Sequence, residues 1–352
     1  MRANDLFDSM LDPVYLEECY KRAARGKRDR IAVARFATEL ESNIHEIIES
    51  LDTETYDFGP YRSFYVLEPK LRYIESACFP DRVVHHAIFG RLEPLFDMGF
   101  YEHSYACRAG RGSHAAMSQL KTWLRNPNLK YYLKCDVRKF FPSIDREILL
   151  KMLRRRIEDK KMMRLLEKLL INAPGTGLPI GNLTSQLFAN VYLGGLDLFV
   201  KRQLSARYYI RYMDDFILLC ESQEEAERLR VQVEVFLERK LKLQLSPHKV
   251  RIDRVNRGIQ FVGYSIFPWA VRLRGAALRR IRRKVLKRFR AEVFKSNGGK
   301  DPFSLGRVRN SSFYGAWCSF LGQSQFSTYG LDLVQQMRGD ILREWKENGG
   351  ES

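Results

Sequence analysis

The sequence predicts an α+β fold. Short runs of β-branched and aromatic residues recur at 62–76, 130–137, 206–220 and 250–266, as in strands. Between them, and at both ends of the chain, apolar residues return every three or four positions, the period of helices packed on one face. At 352 residues with a 45% apolar share, the chain can build roughly two or three compact units and a substantial core without disulfides. Wholesale disorder is excluded.

Residues 13–25 and 30–51 are expected to be helical, the second stretch with Ile31, Ala34, Leu40, Ile44, Ile47, Ile48 and Leu51 at helical spacing. Gly59, Pro60 and Pro69 then punctuate alternating aromatic and polar residues, which predicts a hairpin over 62–76. Pro80 opens a helix to residue 96, with Val83, Val84, Ala87, Ile88, Leu92 and Leu95 on one face. The Gly110-Arg111-Gly112 turn leads into a helix over 113–124. KYYLKCDV, 130–137, is a strand ending near an acid. Residues 145–172 form one predicted helix with a basic outer face, and 184–202 an apolar, therefore buried, helix. Strands at 206–212 and 216–220 flank Met213-Asp214-Asp215. Ser222 and Glu225 form a capping box for a helix to about 243. Short strands over 250–266 turn at Arg257 and Gly258, and the C-terminal part is helical and basic.

Lys and Arg number 60 against 42 Asp and Glu, a net charge of +18. That surplus predicts a polyanionic partner, nucleic acid or an anionic membrane surface. No stretch reaches the roughly 18 uninterrupted apolar residues of a spanning helix. MRANDLFDSMLDP has acids and a proline where a secretory leader has an apolar run. No membrane role is expected. Cys19, Cys78, Cys107, Cys135, Cys220 and Cys318 form no CxxC pair, which speaks against zinc and disulfides and for the cytoplasm.

Three acids stand where a core should be. Asp136 ends an apolar strand, and Asp214 and Asp215 sit between two apolar strands in YIRYMDDFILLC. Neighbouring strand residues face opposite ways, so a paired acid puts at least one carboxylate inward. Burying carboxylates costs several kcal/mol each unless a cation neutralises them. An all-oxygen ligand set favours magnesium, and two such ions would activate a hydroxyl and stabilise a leaving phosphate. A solvated surface turn is the alternative for Asp214 and Asp215 alone; the apolar flanks argue against it.

KCDVRKFFPSID, GLPIGNLTSQLFANVYL, YIRYMDDFILL and QFVGYSIF occur in that order and resemble the successive palm motifs of a reverse transcriptase. Upstream, PKLRYIESACFPDRVVHHAIFGRLEPLF and YACRAGRGSHAA resemble the fingers of the bacterial retroelement branch, which includes group II intron, retron and diversity-generating retroelement enzymes. In that branch a QGxxxSP-like motif is usual for intron and retron enzymes. Here Ile180-Gly181-Asn182-Leu183-Thr184-Ser185-Gln186 gives IGxxxSQ, which resembles the diversity-generating enzymes. Nothing here looks like a maturase or endonuclease appendage. The resemblance implies a right-hand polymerase fold: an N-terminal helical segment to residue 60, fingers over 61–129, a palm of antiparallel sheet on helices over 130–268 with fingers elements interleaved at about 145–175, and a helical basic thumb over 269–352.

The same resemblance assigns roles. Asp136 and Asp214 would ligate two magnesium ions, with manganese as a substitute. Asp215 would be a weaker metal ligand or an electrostatic helper, and the Val137 carbonyl would join the nucleotide-side ion. Lys249, in LSPHKV, would protonate the leaving pyrophosphate. Lys70 and Arg72 would grip the triphosphate, although two cations on one strand also describe a solvated face. Phe141 matches the ring that excludes a 2′-hydroxyl; core packing is its alternative, and either it or Phe140 must point inward. Ile180 and Gln186 would line the nascent base-pair pocket, with helix capping the alternative for Gln186. Phe261, Val262, Gly263 and Tyr264 match the primer grip. Arg279, Arg280, Arg282, Arg283 and Lys287, within an acid-free basic run from 272 to 290, would hold duplex phosphates. A second run, Arg154, Arg155, Arg156, Lys160 and Lys161, would meet either template RNA or a protein partner.

The implied activity is RNA-directed DNA synthesis, error-prone at template adenines, that turns template-repeat RNA into cDNA for mutagenic retrohoming. The implied partners are template RNA, the cDNA/RNA hybrid, deoxynucleoside triphosphates and a pentameric accessory variability determinant. The setting would be the cytoplasm, with a bacterial or phage gene. A retron-type or phage-defence reverse transcriptase is the nearest alternative. A nonenzymatic RNA-binding scaffold is the other, and it would have no reason to keep buried acids.

Overall fold

The computed structural model describes residues 5–67, 71–293 and 312–347. In chain order the elements are α1 (Pro13–Ala24), α2 (Ile31–Thr38), α3 (Leu40–Asp52), β1 (Arg62–Leu67), β2 (Leu71–Ser76), α4 (Phe79–Asp97), α5 (Ser113–Trp123) and β3 (Tyr131–Asp136). Then follow α6 (Phe140–Ser143), α7 (Arg146–Arg154), α8 (Lys160–Asn172), α9 (Leu183–Leu198), β4 (Tyr209–Tyr212), β5 (Asp215–Cys220) and α10 (Gln223–Leu241). Four short strands, β6 (Arg251–Arg254), β7 (Ile259–Phe261), β8 (Tyr264–Ile266) and β9 (Val271–Leu273), precede α11 (Gly275–Val293), α12 (Ser312–Ser324) and α13 (Gly330–Glu347). The mixture of helix and sheet agrees with the expected class.

Three elements differ from expectation. The helix predicted over 30–51 breaks at Glu39, whose φ of −126° leaves the helical region. The Asn43 side chain donates to the Phe36 carbonyl across the break (3.1 Å), and Phe36 can then stack on Tyr20 and meet Phe79 edge-on. The helix predicted over 145–172 is two. Buried Asp159 caps α8 by accepting from Met162 N (2.9 Å) and also accepts from Phe7 N (2.8 Å), a local alternative to helical continuation. The strand predicted from 206 starts only at Tyr209, because α9 runs on through a wide helical turn, Phe199–Gln203, and the chain reverses at Ser205 with φ +51°.

The chain divides into two compact units. The first holds the described part of Met1–Gly112, Leu133–Leu219 and Glu224–Ile252. In it α4 packs against α1 and α9, with Val83, Val84, Ala87 and Ile88 fully buried alongside Leu16 and Phe188. β1 and β2 form an antiparallel hairpin in the register Tyr65↔Tyr73 and Val66↔Arg72. A four-stranded sheet has the order β4-β5-β3-β6.

The second unit holds Ser113–Tyr132, Cys220–Gln223 and the described part of Asp253–Ser352. It has a three-stranded antiparallel sheet, β7-β8-β9, and a bundle of α11, α12 and α13. Ile281, Val285 and Phe289 recur every four residues on α11 and pack with Phe320, Ile341 and Trp345. This one apolar stripe leaves the remaining faces of α11 to its basic residues. Among the described residues, no helix is long and apolar enough to cross a membrane.

Candidate active site

The site is built on the β4–β5 hairpin. Tyr212 pairs with Asp215, and Met213 takes φ +56°, which lifts Asp214 to the turn. The conformation is sparsely populated for a non-glycine residue, and Arg211 braces it. Fully buried, Arg211 donates to both Asp197 carboxylate oxygens (2.7 and 2.6 Å), to Asn190 Oδ1 and to the Met213 carbonyl (both 3.1 Å). Tyr209 also donates to Asp197 (2.7 Å). β3 is tied in by Val137 N, which donates to the Asp214 carbonyl (3.3 Å). At its end, the Asp136 carbonyl accepts from Ser246 N (2.8 Å), and this brings in the short turn that carries Lys249.

Sequence reasoning passed over Arg211, Asp197 and Lys134. A signal existed. A strand reading YIRY between apolar neighbours, beside an apolar helix interrupted by one Asp, implies that the two charges neutralise each other.

Two of the three predicted aspartates are held by lysines. Lys249 Nζ meets Asp136 Oδ1 at 2.5 Å, and Lys134 Nζ meets Asp215 Oδ2 at 2.8 Å. Burial raises the Asp214 pKa, and the neighbouring Asp136 charge adds to the rise; Lys249 and Arg72 oppose it. Asp215 is pushed up to about 6, chiefly by burial, against the pull of Lys134. Its Oδ1 is buried with no hydrogen-bond partner. Among the described residues, no three His, Cys, Asp or Glu side chains gather into one chelating group. Lys134 and Lys249 instead draw Asp215 and Asp136 to themselves. The donor set still fits a hard divalent cation: its ligands are oxygens, two of its carboxylates repel each other, and one buried oxygen lacks a donor.

The nucleotide-side candidates approach through glycines. A Cβ on Gly177 would fall 2.2 Å from the Phe141 carbonyl oxygen, which accepts from Leu178 N (2.8 Å). Of the adjacent pair, Phe140 is buried and Phe141 only half-buried, so Phe140 fills the core. Gly181, at φ +135°, lies against the Glu75 carbonyl, while Glu75 N donates to the Ile180 carbonyl (3.0 Å). These contacts tie the strand of Arg72 to the loop of Ile180. Arg72 is exposed, and its charge reaches Asp214. Lys70 lies outside the described residues. Gln186, half-buried, is the fourth residue of α9, and the N-cap position belongs to Asn182. Thr184, two residues before Gln186, meets the buried His85 Nδ1 at 2.7 Å.

In the second unit, Val262 (φ +42°) and Gly263 (φ +94°) form a two-residue hairpin turn, the arrangement that matches strand twist. Its flanks, Phe261 and Tyr264, are paired and buried. A Cβ on Gly263 would meet nothing within 4 Å, so the turn is open to an approaching chain. On α11, Arg279, Arg280, Arg283 and Lys287 are exposed, whereas Arg282 pairs with Asp340 at 2.9 Å. The unassigned basic run is partly engaged within the first unit: Arg154 pairs with Glu167 (2.6 Å) and Lys161 with Asp8 (3.2 Å).

A family model described as reverse transcriptase (RNA-dependent DNA polymerase) matches residues 68–266, more than half of the chain. The chain belongs to this family. Protein YkfC of Escherichia coli is 27% identical over 279 residues, covering 66% of this chain and 72% of YkfC. The group II intron-encoded protein LtrA of Lactococcus lactis is 25% identical over 300 residues, covering 64% of this chain. The chain spans half (50%) of LtrA. A structure of telomerase from Candida albicans with a fragment of telomeric RNA superposes with TM-score 0.50 at 12% identity, over 84% of this chain and 57% of that one. The polymerase-type α+β fold is thereby shared.

Proposed function

We propose that the chain copies RNA into cDNA, and that its template is a repeat RNA whose mutated copy diversifies a target gene. The observation that supports catalysis is the braced turn at Asp214, tied to Asp136 through Val137 within a reverse transcriptase family chain. In this reading, Asp136, Asp214, Asp215 and the Val137 carbonyl would hold two divalent ions, magnesium or manganese. Bound there, the ions would neutralise the triphosphate and acidify the primer 3′-hydroxyl. The hydroxyl attacks the α-phosphate and pyrophosphate leaves. Lys249, beside Asp136, would donate a proton to the leaving group. Arg72, with Lys70, grips the phosphates, and the half-exposed Phe141 ring meets the sugar. The Val262 and Gly263 turn holds the primer, and the exposed basic side chains of α11 hold the hybrid backbone.

The diversification role rests on Ile180 and Gln186, where a polar amide replaces proline, and carries with it a pentameric accessory variability determinant as partner. Similarity to a group II intron-encoded protein favours a second reading, copying of an intron-type template without adenine-directed errors. Primer extension on an RNA template tests the proposal. We expect magnesium-dependent incorporation that Asp214→Asn abolishes; unchanged incorporation in that variant refutes the site. Sequenced cDNA separates the two roles, since equal error rates at template adenines and other bases would exclude diversification.

A further inference from the structure

The second unit carries a row of planar side chains that the proposed chemistry does not use. Phe267 and Trp269 lie in the turn between β8 and β9, with ring centroids 5.5 Å apart and planes inclined by 32°. The Arg272 guanidinium stands 5.4 Å from the Phe267 ring and 5.4 Å from the Tyr329 ring. Trp269, Phe267, Arg272 and Tyr329 are thus successive neighbours. The row ends in two open rings, Trp269 at 63% and Tyr329 at 48% exposure.

The row is fixed from three segments. Phe267 lies over Gly258 so closely that a Cβ there would fall 2.5 Å from the ring. Phe267 N donates to the Ala270 carbonyl (2.7 Å), which closes its turn. The Tyr329 loop is clamped to β9: Thr328 N donates to the Val271 carbonyl, and Val271 N donates to Thr328 Oγ1, both at 2.8 Å. A single exposed aromatic residue needs no explanation. A preorganised row ending in two exposed rings presents faces to which further rings can add.

Its surroundings select the guest. From residue 254 to residue 291 the sequence has no Asp or Glu, and Arg272 and Arg274 are both exposed; Asp332 is the acid nearest in sequence to Tyr329. Flat aromatic faces within a cationic surface suit unpaired nucleotides, whose bases stack without regard to sequence and whose phosphates the arginines attract. A paired duplex hides its base faces and would gain only the charge. The three residues of β8, about 10 Å of strand, separate this row from the Val262 and Gly263 turn, so the two lie at opposite ends of one small sheet.

We propose that this row is a stacking platform for single-stranded RNA beside the hybrid. The proposal rests on the polymerase reading only for which nucleic acid arrives. The test compares binding of a short blunt RNA–DNA hybrid with the same hybrid carrying an oligoadenylate RNA overhang. The overhang should tighten wild-type binding by about tenfold or more. Trp269→Ala and Tyr329→Ala should each remove most of that gain, and Trp269→Phe should keep it. Affinity for the blunt hybrid should be the same in all three. A full overhang gain in Trp269→Ala, or no gain in the wild type, overturns the platform. So does self-association of the chain that Trp269→Ala abolishes, which would make the face a protein contact. Failure of the polymerase reading shows separately, as no incorporation by the wild type on the same hybrid whatever the overhang gain.

Discussion

At the scale of single residues, burial decides which of two neighbours is free to act. Phe140 is 3% exposed, whereas Phe141 is half-buried beside the Gly177 loop. Phe140→Ala should cost about 3–5 kcal/mol of stability. Phe141→Val should cost much less and should raise incorporation of ribonucleotides relative to deoxynucleotides; an unchanged ratio would return Phe141 to packing alone. His85 adds a pH dependence that the sequence did not disclose. Its imidazole is wholly buried and its pKa is pushed down to about 3, by burial first and by the charges of His86 and Arg82 next. The folded chain therefore refuses a proton that the unfolded chain accepts below about pH 6.5. Stability attributable to His85 is complete above that pH and falls by about 1.4 kcal/mol per unit as pH drops toward 3. Urea unfolding should show the wild type losing about 2 kcal/mol more than His85→Gln between pH 6.5 and pH 5. Identical losses would mean that burial does not hold the ring neutral. The partial burial of the three aspartates was legible, because carboxylates in apolar strands need a reason. His85 was not, because a histidine on an apolar helix face looks like any other core position.

At the scale of elements, the β4–β5 turn is held from behind. Arg211 joins β4, α9 and the Met213 carbonyl in one buried network, so breaking it has two separable effects. Arg211→Met leaves the Asp197 charge buried beside Tyr209 alone and should cost about 3–5 kcal/mol. Adding Asp197→Leu removes the stranded charge and should restore most of the stability. Neither change returns a donor to the Met213 carbonyl, so primer extension by the double variant should stay well below wild type at equal folded protein. Full activity in a fully stable double variant would show that the turn needs no such brace. Element types followed from periodicity, and the 62–76 hairpin and the apolar α9 appear where alternation and spacing put them. The ends of elements did not follow. Glu39 and Asp159 interrupt continuous helical patterns through tertiary partners, Phe36 with Tyr20 and Phe79 in one case and Phe7 in the other, which lie too far along the chain for a local pattern to register.

At the scale of the whole molecule, the surplus of +18 announced a polyanion but not which cations meet it. The structure divides them by partner. Arg282 faces Asp340, Arg154 faces Glu167, and Lys161 faces Asp8, while Arg279, Arg280, Arg283 and Lys287 are exposed along α11. A cation that neutralises a phosphate releases a condensed counterion, so its removal should lower the slope of log affinity against log salt by about 0.7–0.9. A cation already paired with a carboxylate releases less. Hybrid-binding titrations over a salt series should therefore show the full change for Arg283→Gln and Lys287→Gln and a smaller one for Arg282→Gln. Arg154→Gln and Lys161→Gln should leave the slope unchanged. The ordering matters more than any single value. If Arg154→Gln shifts the slope as much as Arg283→Gln does, the second basic run contacts nucleic acid despite its internal partners, and the assignment of hybrid binding to α11 fails.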